Sequence, residues 1–149
     1  MPSATEPPRH ELRIAAPPEV VFPYFTDPAR MVEWMGVAAL LDPRPGGQLR
    51  VEVNGRDVVG GEYLELEPPR RLVFSWGFEG TERAVAAGST RVEVTLDPDG
   101  EGTLLTLRHH DLPGGARQAH EDGWTHYLTR LAHAAAGERP EPDPWIVTD

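Results

Sequence analysis

The chain has no cysteine and no lysine; its 14 basic residues are all arginine. Without cysteine there are no disulfides, no thiolate metal sites and no cysteine nucleophile. Without lysine there is no phosphate-loop lysine, and neither Gly46-Gly47 nor Gly60-Gly61 sits in a GxxxxGK pattern. Positive charge is scarce overall: 24 acidic residues leave a net charge of −10. Phosphate neutralisation dominates nucleic-acid affinity, so nucleic acid is not an expected partner. An anionic membrane surface is disfavoured for the same reason. No apolar run approaches the ~20 residues of a membrane span. The first residues lack the apolar core of a signal peptide. The expectation is a soluble, cytoplasmic protein. Its 149 residues, 39% of them hydrophobic, suffice for one domain with a real core.

What the chain does have is one long helical pattern, Gly114 to Ala136. At about 100° per residue, Trp124, Tyr127, Leu128 and Leu131 converge on one stripe. Ala119, Ala134 and Ala135 flank it. Gln118, Asp122, Thr125, His126, Thr129 and His133 fall on the opposite, solvated side. Pro113-Gly114-Gly115 allows the helix to start, and Gly137 is a natural stop with Pro140 beyond. His120 breaks the apolar stripe one turn before Trp124.

Residues 1–8 read as a loosely attached arm, 9–137 as the domain and 138–149 as an extended proline-rich tail. His10–Ala15 is a strand, with Leu12 and Ile14 on one face. Pro17-Pro18 opens a short helix that Pro23 limits; Asp27-Pro28 caps and starts a second over Ala29–Met35. From Gly46 the period becomes two: Leu49, Val51 and Val53 alternate with polar residues up to the hairpin signal Asn54-Gly55. Val58–Glu67 is the return strand, with Gly60-Gly61 marking a bulge or a close backbone approach. Leu72, Phe74 and Trp76 alternate next, then Val92, Val94 and Leu96. Asp97-Pro98-Asp99-Gly100 reads as a turn, and Thr103–His110 is the last strand. Consecutive strands joined by turns predict an antiparallel sheet whose buried face the long helix covers. Trp145-Ile146-Val147 is expected to tuck into a groove on its own domain, with docking on a second subunit as the alternative.

This order of elements resembles the helix-grip fold of the START-like (SRPBCC) superfamily. Three stretches carry the resemblance: Pro17-Pro18-Glu19-Val20-Val21-Phe22 with Asp27-Pro28 and Glu33-Trp34; Glu67-Pro68-Pro69-Arg70-Arg71-Leu72-Val73-Phe74-Ser75-Trp76; and His120-Glu121-Asp122-Gly123-Trp124 with Leu128 and Leu131. Together they are similar to the bacterial branch related to the activator of the 90-kDa heat-shock protein ATPase. The resemblance implies an α+β fold. A curved antiparallel sheet of about six strands wraps a long C-terminal helix, and two short helices follow the first strand. It also implies a cavity between sheet and helix for a small hydrophobic or aromatic molecule. A polyketide cyclase or aromatase using the same cavity is the alternative, and a co-chaperone-like interaction module a third. Superfamily relatives often dimerise, so a homodimer is a further expectation. A chaperone partner is set aside, because it would rest on a distant relative's name alone.

Trp34, Phe74, Trp76, Phe78, His120, Trp124 and Tyr127 are the expected ligand-binding residues. His120 would be the polar anchor or a general acid/base in an apolar site, or a structural histidine with a fixed partner. The aromatic residues would line the cavity or simply fill the core. No catalytic residue is assigned: Ser75 and Ser89 lack a nucleophile-elbow context. No cofactor or metal is expected. His109 and His110 are adjacent on a strand and point to opposite faces. His120 and His126 lie about 120° apart on their helix, and HExxH is absent.

Overall fold

Strand pairing accounts for most of the chain. In the computed structural model, which describes residues 7–81 and 83–147, the strands are β1 (Arg9–Ile14), β2 (Ala38–Leu41), β3 (Gln48–Glu52), β4 (Val58–Glu67), β5 (Arg71–Trp76), β6 (Thr90–Asp99) and β7 (Gly102–His110). They form one curved antiparallel sheet in the order β1-β7-β6-β5-β4-β3-β2. The expected N-terminal arm lies outside the described residues except for Pro7 and Pro8. Pro8 is tied down, its carbonyl accepting from the His109 amide at 3.2 Å.

The sheet has seven strands, not about six. The addition is β2, an edge strand paired only with β3, Ala38 opposite Glu52 and Leu41 opposite Leu49. Its sequence Ala-Ala-Leu-Leu has no alternation because neither face is fully buried; Leu40 is exposed. A second difference concerns Asp97–Gly100. Pro98 pairs with Thr103 and Asp99 with Gly102, so the reversal falls on Gly100-Glu101, and Gly100 takes φ 63°. Proline is tolerated at that strand end, where no ladder hydrogen bond needs its missing N–H.

The alternation read from the sequence sets the buried face. Leu49 and Val51 of β3, Phe74 and Trp76 of β5, Val92, Val94 and Leu96 of β6, and Leu105 and Leu107 of β7 are all buried. A Cβ on Gly61 would collide with the Ser75 carbonyl, the close approach that Gly60-Gly61 signals. The irregularity in β4 lies further on, between Tyr63 and Glu65.

The long helix, α3 (Arg117–Ala135), is preceded by a 3-10 turn over Gly114–Ala116. It buries Trp124, Tyr127, Leu128, Leu131, Ala134 and Ala135, the stripe that the 3.6-residue period predicts. The two short helices, α1 (Pro18–Val21) and α2 (Pro28–Met31), are separated by a 3-10 turn over Phe22–Phe25. The Asp27 carboxylate caps α2 by accepting from the Ala29 amide at 3.0 Å. Helix α2 ends at Met31, short of Met35, but Met31 and Trp34 are buried as the longer helix would have made them. This corner is held by buried polar tips. Tyr24 Oη donates to the Ala134 carbonyl at 3.0 Å, Trp34 Nε1 to the Tyr24 carbonyl at 2.9 Å, and Tyr63 Oη to the Phe25 carbonyl at 2.7 Å. No α-helix of the described residues is long and apolar enough to cross a membrane.

Candidate ligand cavity

Between one end of the sheet and the N-terminal half of α3 lies a cavity of about 210 Å³. Five of the seven expected residues line it: Trp76 from β5, Phe78 just beyond, and His120, Trp124 and Tyr127 from α3. Phe78 keeps the parity of Trp76 because the chain continues in extended form past Gly77, bridging to Val59 and Ala86. The other two do not reach the cavity lining. Trp34 is in the core, edge-on to Phe25 at 5.3 Å. Phe74 is buried beside Trp76, its ring centre 6.3 Å away. Both are interior aromatics, and alternation along a strand or turn does not say how far along the core a cavity extends.

The walls are fixed from behind by a residue outside the expected set. His109 follows the inward parity of Leu105 and Leu107 and is fully buried. Trp124 Nε1 donates to His109 Nδ1 at 3.0 Å. An indole nitrogen can only donate, so Nδ1 carries the lone pair and Nε2 carries the proton. Nε2 then donates to Thr90 Oγ1 at 2.8 Å, and Thr90 donates to the Trp76 carbonyl at 2.7 Å. Every role in this chain is determined. It links Trp124 on the helix to Trp76 on the sheet, and the two indoles meet at 4.8 Å and 45°. Burial, reinforced by His120 nearby, pulls the His109 pKa from 6.5 to about 3, so the ring is neutral.

His120 presents a different case. Its Nδ1 lies 2.9 Å from the Ala116 carbonyl. A carbonyl accepts, so Nδ1 carries the proton and Nε2 is an open acceptor. Nε2 is buried without a partner, and so is Nε1 of Trp76. Burial lowers the His120 pKa, with the Ala116 hydrogen bond opposing. Burial likewise raises that of the Tyr127 hydroxyl.

The outer wall comes from the tail. Trp145 lines the cavity and stacks on His126 at 3.7 Å, with an interplanar angle of 10°. His126 Nε2 is 2.8 Å from Asp143 Oδ1, and the Val147 amide donates to the Asn54 carbonyl at 2.7 Å. The tail thus lies on its own domain. His126, expected on a solvated helix face, is half-buried beneath it. At the rim, Asp57 pairs with Arg83 at 2.9 Å, and hydrogen bonds from Asn54 and Arg83 hold its carboxyl below the usual range. His109 and His110 do point to opposite faces; His110 meets Glu93 at 3.2 Å on the outer one. Among the described residues no three His, Asp or Glu side chains gather as a metal ion would need.

With this geometry in place, the sequence matches the family described as Activator of Hsp90 ATPase homolog 1-like protein over residues 15–136. The chain belongs to that family. This family member is similar to an AHSA1-like protein of Rhizobium etli, 42% identical with a TM-score of 0.74, over 100% of this chain and 95% of that one. CalU16 of Micromonospora echinospora is 28% identical with a TM-score of 0.66, over 87% and 82% of the two chains. A protein of Chromobacterium violaceum is 25% identical with a TM-score of 0.75, over 91% and 99%. No curated protein matches the chain.

Proposed function

We propose that this AHSA1-like chain binds a small hydrophobic or aromatic molecule in the cavity between its sheet and α3. The observation that supports this most directly is Gly123. It sits inside α3 and lines the cavity, yet a Cβ built there would meet nothing within 4 Å. Glycine inside a helix costs about 1 kcal/mol relative to alanine. Neither packing nor backbone geometry calls for it, so what it preserves is space. The volume suits a ligand of one or two rings: an apolar cavity of about 150 Å³ is enough for benzene.

The lining groups support binding. Burial disfavours the charged forms of both His120 and the Tyr127 hydroxyl, as an apolar interior does. Apolar rings dominate the rest of the wall, as they do in ligand sites generally.

Gly123→Leu tests the reading. A Cβ at position 123 enters open space and leucine is the better helix former, so the fold is expected to persist with a melting temperature no lower than that of the parent. Native mass spectrometry of the copurified protein, with equilibrium dialysis against small aromatic compounds, should then show binding in the parent and none in the variant. Equal binding by both would place the ligand elsewhere.

A further inference from the structure

Three indoles wall the cavity, and one is unlike the others. Trp76 and Trp124 are 7% and 3% exposed and belong to the buried core. Trp145 is 44% exposed, so a single ring borders both the cavity and the solvent. Among the described residues, none beyond Ala135 joins that core. Polar contacts hold the tail instead. Asp143 Oδ1 accepts from the Trp145 amide at 2.9 Å and from His126 Nε2 at 2.8 Å. The Glu141 carbonyl accepts from Arg130 Nη1 at 2.6 Å, and the Val147 amide donates to the Asn54 carbonyl at 2.7 Å. His126 and Arg130 are on α3, whereas Asn54 lies in the turn between β3 and β4. The tail therefore spans from helix to sheet, with Trp145 at the cavity between them.

Docking this tail carries a cost. Asp143 is 8% exposed, and its Oδ2 is buried without a partner. A buried acceptor left unpaired is destabilising, and release of the tail would return it to water. Segments with few buried apolar contacts open far more readily than a core. A guest in the cavity would oppose that release by giving Trp145 a further aromatic surface to meet. Resting on the binding reading above, we infer that the tail is a clasp: a guest packs against Trp145, and its binding and the docking of residues 141–147 stabilise each other. Asp143 is the latch. Linkage makes the effect reciprocal, so the factor that the docked tail adds to affinity is the factor that the guest adds to docking.

The test measures 1-aminonaphthalene, a two-ring probe that is neutral at pH 7.5, by equilibrium dialysis against the full chain, Asp143→Ala, Trp145→Ala and the double variant. Each single variant should bind about tenfold more weakly than the parent, the scale of one lost aromatic contact. The double variant should bind no more weakly than Trp145→Ala, because both changes remove the same contact. Hydrogen exchange reads the reverse direction. Asp143→Ala should speed exchange of the Val147 amide about tenfold. The probe should slow that exchange in the parent and not in Trp145→Ala. Both positions lie outside the core, so melting temperatures should stay near that of the parent. Unchanged affinity in Trp145→Ala, fully additive losses in the double variant, or Val147 exchange in the parent indifferent to the probe would each overturn the clasp and leave the cavity reading standing. Failure of the parent to bind the probe would overturn both. If Asp143→Ala does not fold, Trp145→Ala and the exchange of the Val147 amide decide without it.

Discussion

Replacing His109 with leucine is expected to lower the unfolding free energy by about 3 kcal/mol near pH 7.5. Leucine is close enough in volume to leave little cavity, so the loss comes from hydrogen bonding. Trp124 is 3% exposed, and its N–H loses its only acceptor. Thr90 loses the donor that meets its oxygen, although it still donates to the Trp76 carbonyl. An orphaned buried group costs about 1–3 kcal/mol, and the lost bonds add to that. Urea denaturation measures the total. Placing the same substitution in a Trp124→Phe background isolates the indole contribution, since no N–H then remains to be orphaned. The cost of His109→Leu should fall there by about 1–2 kcal/mol. Identical costs in the two backgrounds would mean that the Trp124–His109 hydrogen bond contributes nothing.

Acid should destabilise the protein well before its carboxylates titrate. Above pH 6.5, His109 is neutral in both the folded and the unfolded chain and contributes nothing to the difference. Below 6.5 the unfolded chain takes up a proton that the folded one refuses until about pH 3. Stability therefore falls with pH across that window, by about 1.4 kcal/mol per unit at most for this one group. The loss is roughly 2 kcal/mol by pH 5 and about 4–5 kcal/mol over the full window. His120 and His10, both lowered by burial, act in the same direction. Asp57 and Glu93 are held down in the folded state, so their contribution is lost only as pH falls below their unfolded values of 3.8 and 4.5. Denaturation of parent and His109→Leu at matched pH separates these sources. The deficit of about 3 kcal/mol in the variant should shrink to about 1 kcal/mol at pH 5, because only the parent still carries the His109 penalty. A deficit that stays constant between pH 7.5 and 5 would show that His109 is not held neutral.

Local periodicity made most of the fold legible. Helix α3 and strands β3 and β6 each bury one clean face, and burial of one face is what writes alternation into a sequence; β5 buries Val73 and Ser75 as well as Leu72, Phe74 and Trp76, and only its large side chains keep the period of two. Strand β2 was not legible for the converse reason: an edge strand with no wholly buried side chain leaves no pattern. The cavity was legible in part. Trp124, Tyr127 and His120 follow from helical spacing, and Trp76 and Phe78 from strand parity. Trp34 and Phe74 satisfy the same rules but sit deeper in the core, since parity gives the face of an element and not the depth of a void against it. His109 shares the parity of Leu105 and Leu107, so its burial could be read from the sequence. Its bonds to Trp124 and Thr90 depend on how α3 docks, which no local pattern encodes. The tail showed its apolar cluster but not the landing site on His126 and Asn54.

The 4.8 Å approach of Trp76 and Trp124 at a skewed angle has an optical consequence. Two indole chromophores so close and so oriented share their excited states, and exciton coupling gives a paired positive and negative band in far-ultraviolet dichroism. Both rings also form the wall of the void. A guest that changes their separation or tilt would therefore announce itself in the intrinsic spectrum of the protein, without a label or a competitor.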